Sequence, residues 1–116
     1  MSDKLLQWLG SSRIDVRAFP RDARRLAGFQ LRRVQQGVDP TDWKAMRAVG
    51  PGVREIRIHT GLEHRVLYLA KFGETVYVLH AFEKRSRKTA KHDVGLAGQR
   101  YRELIRQRQL KGLRGG

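Results

Sequence analysis

The sequence predicts an α+β domain: an antiparallel-rich four-stranded sheet packed with an N-terminal helical hairpin and a C-terminal helix. Three observations predict it. Apolar residues recur at helical spacing between residues 19 and 37, three runs of extended period lie between Val53 and Phe82, and helical spacing returns from Val94. For 116 residues a single domain is expected, placed at residues 1–110 with a flexible tail at 111–116.

Leu5 to Leu9 reads as an opening strand, and Ser11 to Ala18 as a short helix that begins at Ser11 or Ser12 and turns at Phe19-Pro20. In the next helix Phe19, Ala23, Leu26, Ala27 and Val34 form the apolar stripe, and Arg21, Arg24, Arg25, Arg32 and Arg33 fill most of the remainder. Pro20 suits its first turn and Gly37 its C-terminal cap. Asp39 to Asp42 reads as a turn, Trp43 and Met46 as plugs at the core edge, and Gly50-Pro51-Gly52 as a tight loop.

The runs Val53 to His59, His64 to Phe72 and Thr75 to Phe82 are successive hairpin strands. In the first, Ile56 and Ile58 face one way, and Val53, Glu55 and Arg57 the other. The middle run, Val66 to Ala70, is apolar on both faces, as a central covered strand must be, and the third looks the same. A basic segment from Glu83 to Asp93 then leads to a helix with Val94, Ala97, Tyr101, Leu104 and Ile105 on one face.

Composition limits the function. With no cysteine, disulfide scaffolds and cysteine-based zinc sites are excluded. His59, His64, His80 and His92 fall at no recognisable ligand spacing, so neither a metal nor a cofactor is called for. No run reaches the roughly 18 to 20 apolar residues of a membrane span, and the N-terminus is too short and polar for a secretory signal, so a cytoplasmic protein without membrane contact is expected. The net charge is +14, and residues 83–116 hold 11 basic against 3 acidic side chains. Such a stripe suits a polyanion, an acidic protein partner, or simply a solvated face.

Val53-Arg54-Glu55-Ile56-Arg57-Ile58, then Glu63-His64-Arg65-Val66-Leu67-Tyr68, then Val78 to Arg85 with His80 and Phe82, and finally Lys88-Thr89 follow one another in order. Together they resemble the RelE/HigB-like toxins of bacterial type II toxin–antitoxin modules, and more narrowly the phage-derived, Gp49-like HigB group. The resemblance covers residues 5 to 105. His64 stands where the group usually has Tyr, and Ala90 where it usually has Pro. The resemblance implies a RelE-like (microbial-RNase-like) fold and ribosome-dependent endoribonuclease activity toward mRNA. It also implies neutralisation by a cognate antitoxin, often a helix-turn-helix, HigA-like protein.

RNA cleavage by attack of the strand's own 2′-hydroxyl needs a base, cations to stabilise the phosphorane, and an acid for the leaving 5′-oxygen. Arg57 and Arg65 are candidates for holding phosphate bidentately, with Lys84 and Lys88 beside them. The lesser alternative for Arg57 is an ion pair with Glu55 or Glu63, and Lys84, Arg85 and Lys88 read equally as solvated charges. Arg65, inside an apolar strand, is best explained by exposure on a concave sheet face and a phosphate role. His92, at the start of the last helix, is a candidate base or acid, or else a capping residue. Arg85, Arg87, Lys91, Arg100, Arg24 and Arg25 are candidates for RNA or ribosome contact. His80 reads as a hydrogen-bonded core residue, and Tyr68 and Tyr101 as core. Two further functions fit the same residues: a ParE-like toxin that inhibits DNA gyrase, and a non-catalytic RNA-binding module.

Overall fold

The computed structural model describes residues 3–115; residues 1, 2 and 116, which the expected domain and tail include, lie outside it. The elements are β1 (Leu5–Trp8), α1 (Ser12–Arg17), α2 (Arg21–Gln35), β2 (Trp43–Ala45), β3 (Val53–His59), β4 (Glu63–Leu69), β5 (Thr75–Glu83) and α3 (Lys91–Gly115). They form a mixed α+β fold with one five-stranded sheet in the order β1-β5-β4-β3-β2. β1 runs parallel to β5, and every other neighbouring pair is antiparallel. No helix among the described residues is long and apolar enough to cross a membrane.

The sheet has five strands where the sequence predicts four. The addition is β2, a three-residue edge strand that pairs Trp43 with Ile56 and Lys44 with Glu55. All three of its residues are exposed, so it carries no apolar alternation to read. Trp43 is therefore no core plug: it is 36% exposed, and the Arg54 guanidinium stacks 3.8 Å from its ring centroid. Met46 is buried as expected.

α1 and α2 meet at Phe19-Pro20, but they do not form a self-packed hairpin. α1 has six residues and lies mainly on β5, where buried Ser12 donates its hydroxyl to the Val78 carbonyl (3.1 Å). α2 ends in a Schellman motif, with Gly37 N–H to Val34 O (3.0 Å), Val38 N–H to Arg33 O (2.9 Å) and Gly37 at φ 82°.

Two apolar layers flank the sheet. Ile56, Ile58, Val66, Tyr68, Val76, Val78 and Ala81 meet Phe19, Ala23, Ala27, Leu31 and Val34 on the α1–α2 side. On the α3 side Val53, Leu67, Leu69, Tyr77 and Leu79 meet Ala97 and Leu104, with Val94, Tyr101 and Ile105 partly buried against them. α3 continues to Gly115, past the expected domain end, and Arg108 anchors it by bonding Glu74 and the Tyr77 hydroxyl.

β5 contains a bulge. Tyr68 pairs with Val78 but Leu67 pairs with His80, so Leu79 is the extra residue and both Leu79 and His80 lie toward α3. Arg100 of α3 closes the bulge, donating Nη1 to Leu79 O (2.9 Å) and Nη2 to Ser11 Oγ (3.1 Å). Its guanidinium lies over Gly10, at φ 54°, where an added Cβ would come within 2.3 Å of Arg100 Nε.

Candidate functional site

The α3 face of the sheet is apolar along one half only. α3 begins at Lys91, and beyond its first turn the same strand positions carry Glu55 and Arg57 from β3 and Arg65 from β4. Strand register makes this cluster: Arg57 pairs with Arg65, and Lys44 of β2 pairs with Glu55. At its centre is Glu55, 1% exposed, whose Oε1 lies 3.5 Å from Arg65 Nε and 4.0 Å from Arg57 Nε. Its Oε2 accepts the Thr89 hydroxyl (2.9 Å), which ties the basic segment between β5 and α3 down onto the sheet.

Arg65 is 5% exposed. It donates Nη1 to Glu63 Oε1 (3.1 Å) and to the His64 carbonyl (3.0 Å). A guanidinium withdrawn from water in this way would be costly without carboxylates beside it, and Glu55 and Glu63 supply them. The Nε groups of Arg57 and Arg65 are both buried and make no hydrogen bond. Both face Glu55 Oε1 at ion-pair distance, so the buried carboxylate is shared between two guanidinium groups.

Lys84 completes the group from the end of β5, its backbone N–H bonded to Glu63 O (2.7 Å). Burial holds its ammonium below the ordinary lysine range. Arg65, Arg57 and Lys44 push the same way, and Glu55 opposes them. Four cations from β2, β3, β4 and β5 thus surround one buried carboxylate. A tetrahedral oxyanion that bears more than one negative charge suits such a centre.

The structure brings together Arg57, Arg65 and Lys84. Arg65 is not exposed on a concave face as expected, because the segment bearing Thr89 and its two carboxylate partners enclose it. Arg57, 35% exposed at its side chain, leans toward Glu55 at the limit of ion-pair distance, so the pairing reading holds only weakly. Arg87, Lys88 and Lys91 are exposed along the neighbouring segment, and Arg85 is paired with Glu83 (2.7 Å). His92 is exposed in the first turn of α3.

Arg100 does not join this surface; its guanidinium is spent on the β5 bulge. Arg24 and Arg25 lie exposed on α2, on the opposite side of the sheet. Three members had no place among the sequence candidates. Glu55 and Thr89 were legible as an alternating charged position and as part of the Lys-Thr segment, whereas Lys44 gives no signal. Two imidazoles are buried: His64 packs against Phe19, and His80 has Nε2 2.7 Å from Asp93 Oδ1 and its ring stacked on Phe82 at 5.1 Å. The expected place of His80 as a hydrogen-bonded core residue is met. Among the described residues no group of three or more His, Asp or Glu side chains is arranged to hold a metal ion.

Comparison with curated proteins gives no match. The model of the family described as phage derived protein Gp49-like (DUF891) matches residues 15–102, a span that contains the second half of α1, all of α2, all the strands but β1, the basic segment and the first half of α3. With most of the chain and the whole cationic cluster inside that span, the protein belongs to the Gp49-like family, the group of RelE/HigB-like toxins that its strand motifs resemble.

Proposed function

We propose that this protein is the toxin of a type II toxin–antitoxin module and cleaves mRNA on the ribosome as an endoribonuclease, on a RelE-like, microbial-RNase-like fold. The convergence of Arg57, Arg65 and Lys84 around Glu55, beside an exposed basic segment, is the observation that carries this reading. The RNA's 2′-oxygen attacks the adjacent phosphorus, the bond to the 5′-oxygen breaks, and a 2′,3′-cyclic phosphate and a 5′-hydroxyl result. Arg57 and Arg65 hold the non-bridging oxygens. Lys84, which gives up its proton more readily than an ordinary lysine, protonates the leaving oxygen. His92 is the candidate to take the 2′-proton, and Lys88 adds to the field over the phosphate.

Arg85, Arg87, Lys91, Arg24 and Arg25 meet ribosomal RNA in this reading. The ribosome supplies the in-line geometry of the message, since positioning contributes up to about 7–11 kcal/mol elsewhere. The protein acts in the cytoplasm, and its partner is a cognate helix-turn-helix antitoxin. One mRNA incubated with purified protein, with and without programmed ribosomes at matched salt, tests the reading. Cleavage only with ribosomes is the expected result. Equal cleavage in both reactions overturns ribosome dependence, and no cleavage in either, together with inhibited DNA supercoiling by gyrase, assigns the protein to the ParE-like alternative.

A further inference from the structure

The cationic cluster does not stop at Glu63. His59, the last residue of β3, pairs across the hairpin with Glu63, the first of β4. Its Nδ1 lies 2.7 and 2.8 Å from the two Glu63 carboxylate oxygens, and its Nε2 lies 2.7 Å from Asp42 Oδ2. Ionised carboxylates only accept hydrogen bonds, so both ring nitrogens must donate, and the ring that satisfies both is the imidazolium. The segment carrying Asp42 is itself fixed, its carbonyl accepting the Arg57 N–H (2.9 Å). Glu63 Oε1 also accepts from Arg65 Nη1 (3.1 Å).

A continuous chain therefore runs Asp42, His59, Glu63, Arg65, Glu55, from the surface to the buried centre. Glu63 is the adjustable link. Its side chain is 39% exposed, and a glutamate bound at one end only would sample several rotamers. Anchored to the ring on one side, it presents a fixed oxygen to Arg65 on the other.

We propose that His59, protonated and clamped between Asp42 and Glu63, is a positioning residue that sets the orientation of the Arg65 guanidinium through Glu63. The consequence for cleavage rests on the function proposed above; the coupling between the two side chains does not. The titratable groups facing the ring are Asp42, from the segment entering β2, and Glu63, from β4. Hydrogen bonds to Asp42 and then Glu63 raise the ring's pKa above its ordinary value, and the bond from His59 is the largest influence lowering that of Glu63. As pH rises through that raised value the ring loses one N–H and can donate to only one of the two carboxylates at a time, so Glu63 is no longer held by a ring bonded at both ends and the neighbour of Arg65 loosens.

The test has two arms. In the first, the His59 ring nitrogens and the Arg65 Nε–H are followed by NMR in the free protein from about pH 5 to about pH 9. The Arg65 signal is expected to move with the His59 midpoint and to lose that response in His59→Gln. In the second, ribosome-dependent cleavage is measured for His59→Gln and His59→Arg. The former should lower kcat by about 10- to 100-fold with little change in KM. The latter, keeping a cation between the two carboxylates, should recover part of the rate and abolish the alkaline fall. An Arg65 signal indifferent to the His59 titration, or His59→Gln with wild-type kcat and pH profile, overturns the proposal. A wild-type protein that cleaves nothing overturns the proposed function instead, and the NMR arm still decides the coupling.

Discussion

The two faces of the central strands use alternate residues of the same sequence, yet they have opposite characters. On the α1–α2 side Ile56, Ile58, Val66 and Tyr68 form an unbroken apolar layer. On the α3 side the layer breaks off, and the next positions are Glu55, Arg57 and Arg65. The difference separates a face closed by apolar packing from a face that holds buried charge. One face is covered along its length, and on the other α3 starts late and leaves charged strand positions to be closed by the Thr89 hydroxyl and a basic segment.

Adjacent residues test the contrast most strongly. Glu55→Ala, which leaves Arg65 without its buried carboxylate, is expected to cost about 3–5 kcal/mol. Ile56→Ala should cost about 2–5 kcal/mol by leaving a cavity. The faces differ in rescue: a Glu55→Met, Arg65→Met pair should return stability to near wild type, because two apolar side chains of similar volume remove the need for pairing. Urea unfolding of the singles and the pair measures this, and a pair no more stable than Glu55→Ala would remove the distinction between the faces.

Lys84→Ala, which removes the proposed proton donor to the leaving oxygen, should lower ribosome-dependent cleavage by about 10²- to 10⁴-fold. Its melting temperature should hold, since no carboxylate is bonded to the ammonium. An unchanged rate would place the phosphate elsewhere.

The pH dependence of the hairpin end should be smaller. The folded His59 has a pKa above its ordinary value, so the stabilisation from its protonated form is complete below about pH 6.5 and is lost as pH rises through the higher folded value. The ring is half-exposed, and screening keeps the effect modest. Amide exchange at Thr60, whose N–H bonds Leu62 O, should quicken over that window beyond the ordinary base-catalysed increase, and should not do so in His59→Gln.

The smallest effect belongs to the far side of the molecule. Arg24→Ala with Arg25→Ala should leave the melting temperature and the chemical step unchanged, and should lower the salt slope of ribosome binding by about 1 for each phosphate that is no longer neutralised. A fall in kcat in that variant would mean that the far face takes part in the chemistry.

Much of this was legible in the sequence. Ile56 and Ile58 alternating with Glu55 and Arg57 mark the two faces of β3, and the doubly apolar run at Val66 to Ala70 marks the centre of the sheet. β2 was hidden because backbone pairing and the Arg54–Trp43 stack make it, with no buried side chain to leave a pattern. The burial of Arg65 was hidden for a different reason. It depends on which carboxylates the register sets beside it and on the segment that closes over it, and neither spacing nor composition encodes those. Arg100 looked like one more surface cation because its acceptor, the Leu79 carbonyl, exists only where the bulge turns it outward.

That bulge is an insertion that leaves the pleat on either side of it intact. Before Leu79, the even positions Val76 and Val78 face α1–α2; after it, Ala81 faces that way and His80 and Phe82 turn toward α3. Removing Leu79 would restore a regular pleat in which every residue from His80 onward keeps both its partner on β4 and its side of the sheet, and what would be lost is the Leu79 side chain from the α3 layer and the carbonyl that Arg100 holds. Family members with a single-residue gap at position 79 should therefore keep the rest of β5 in place and lack the contact that Arg100 makes here.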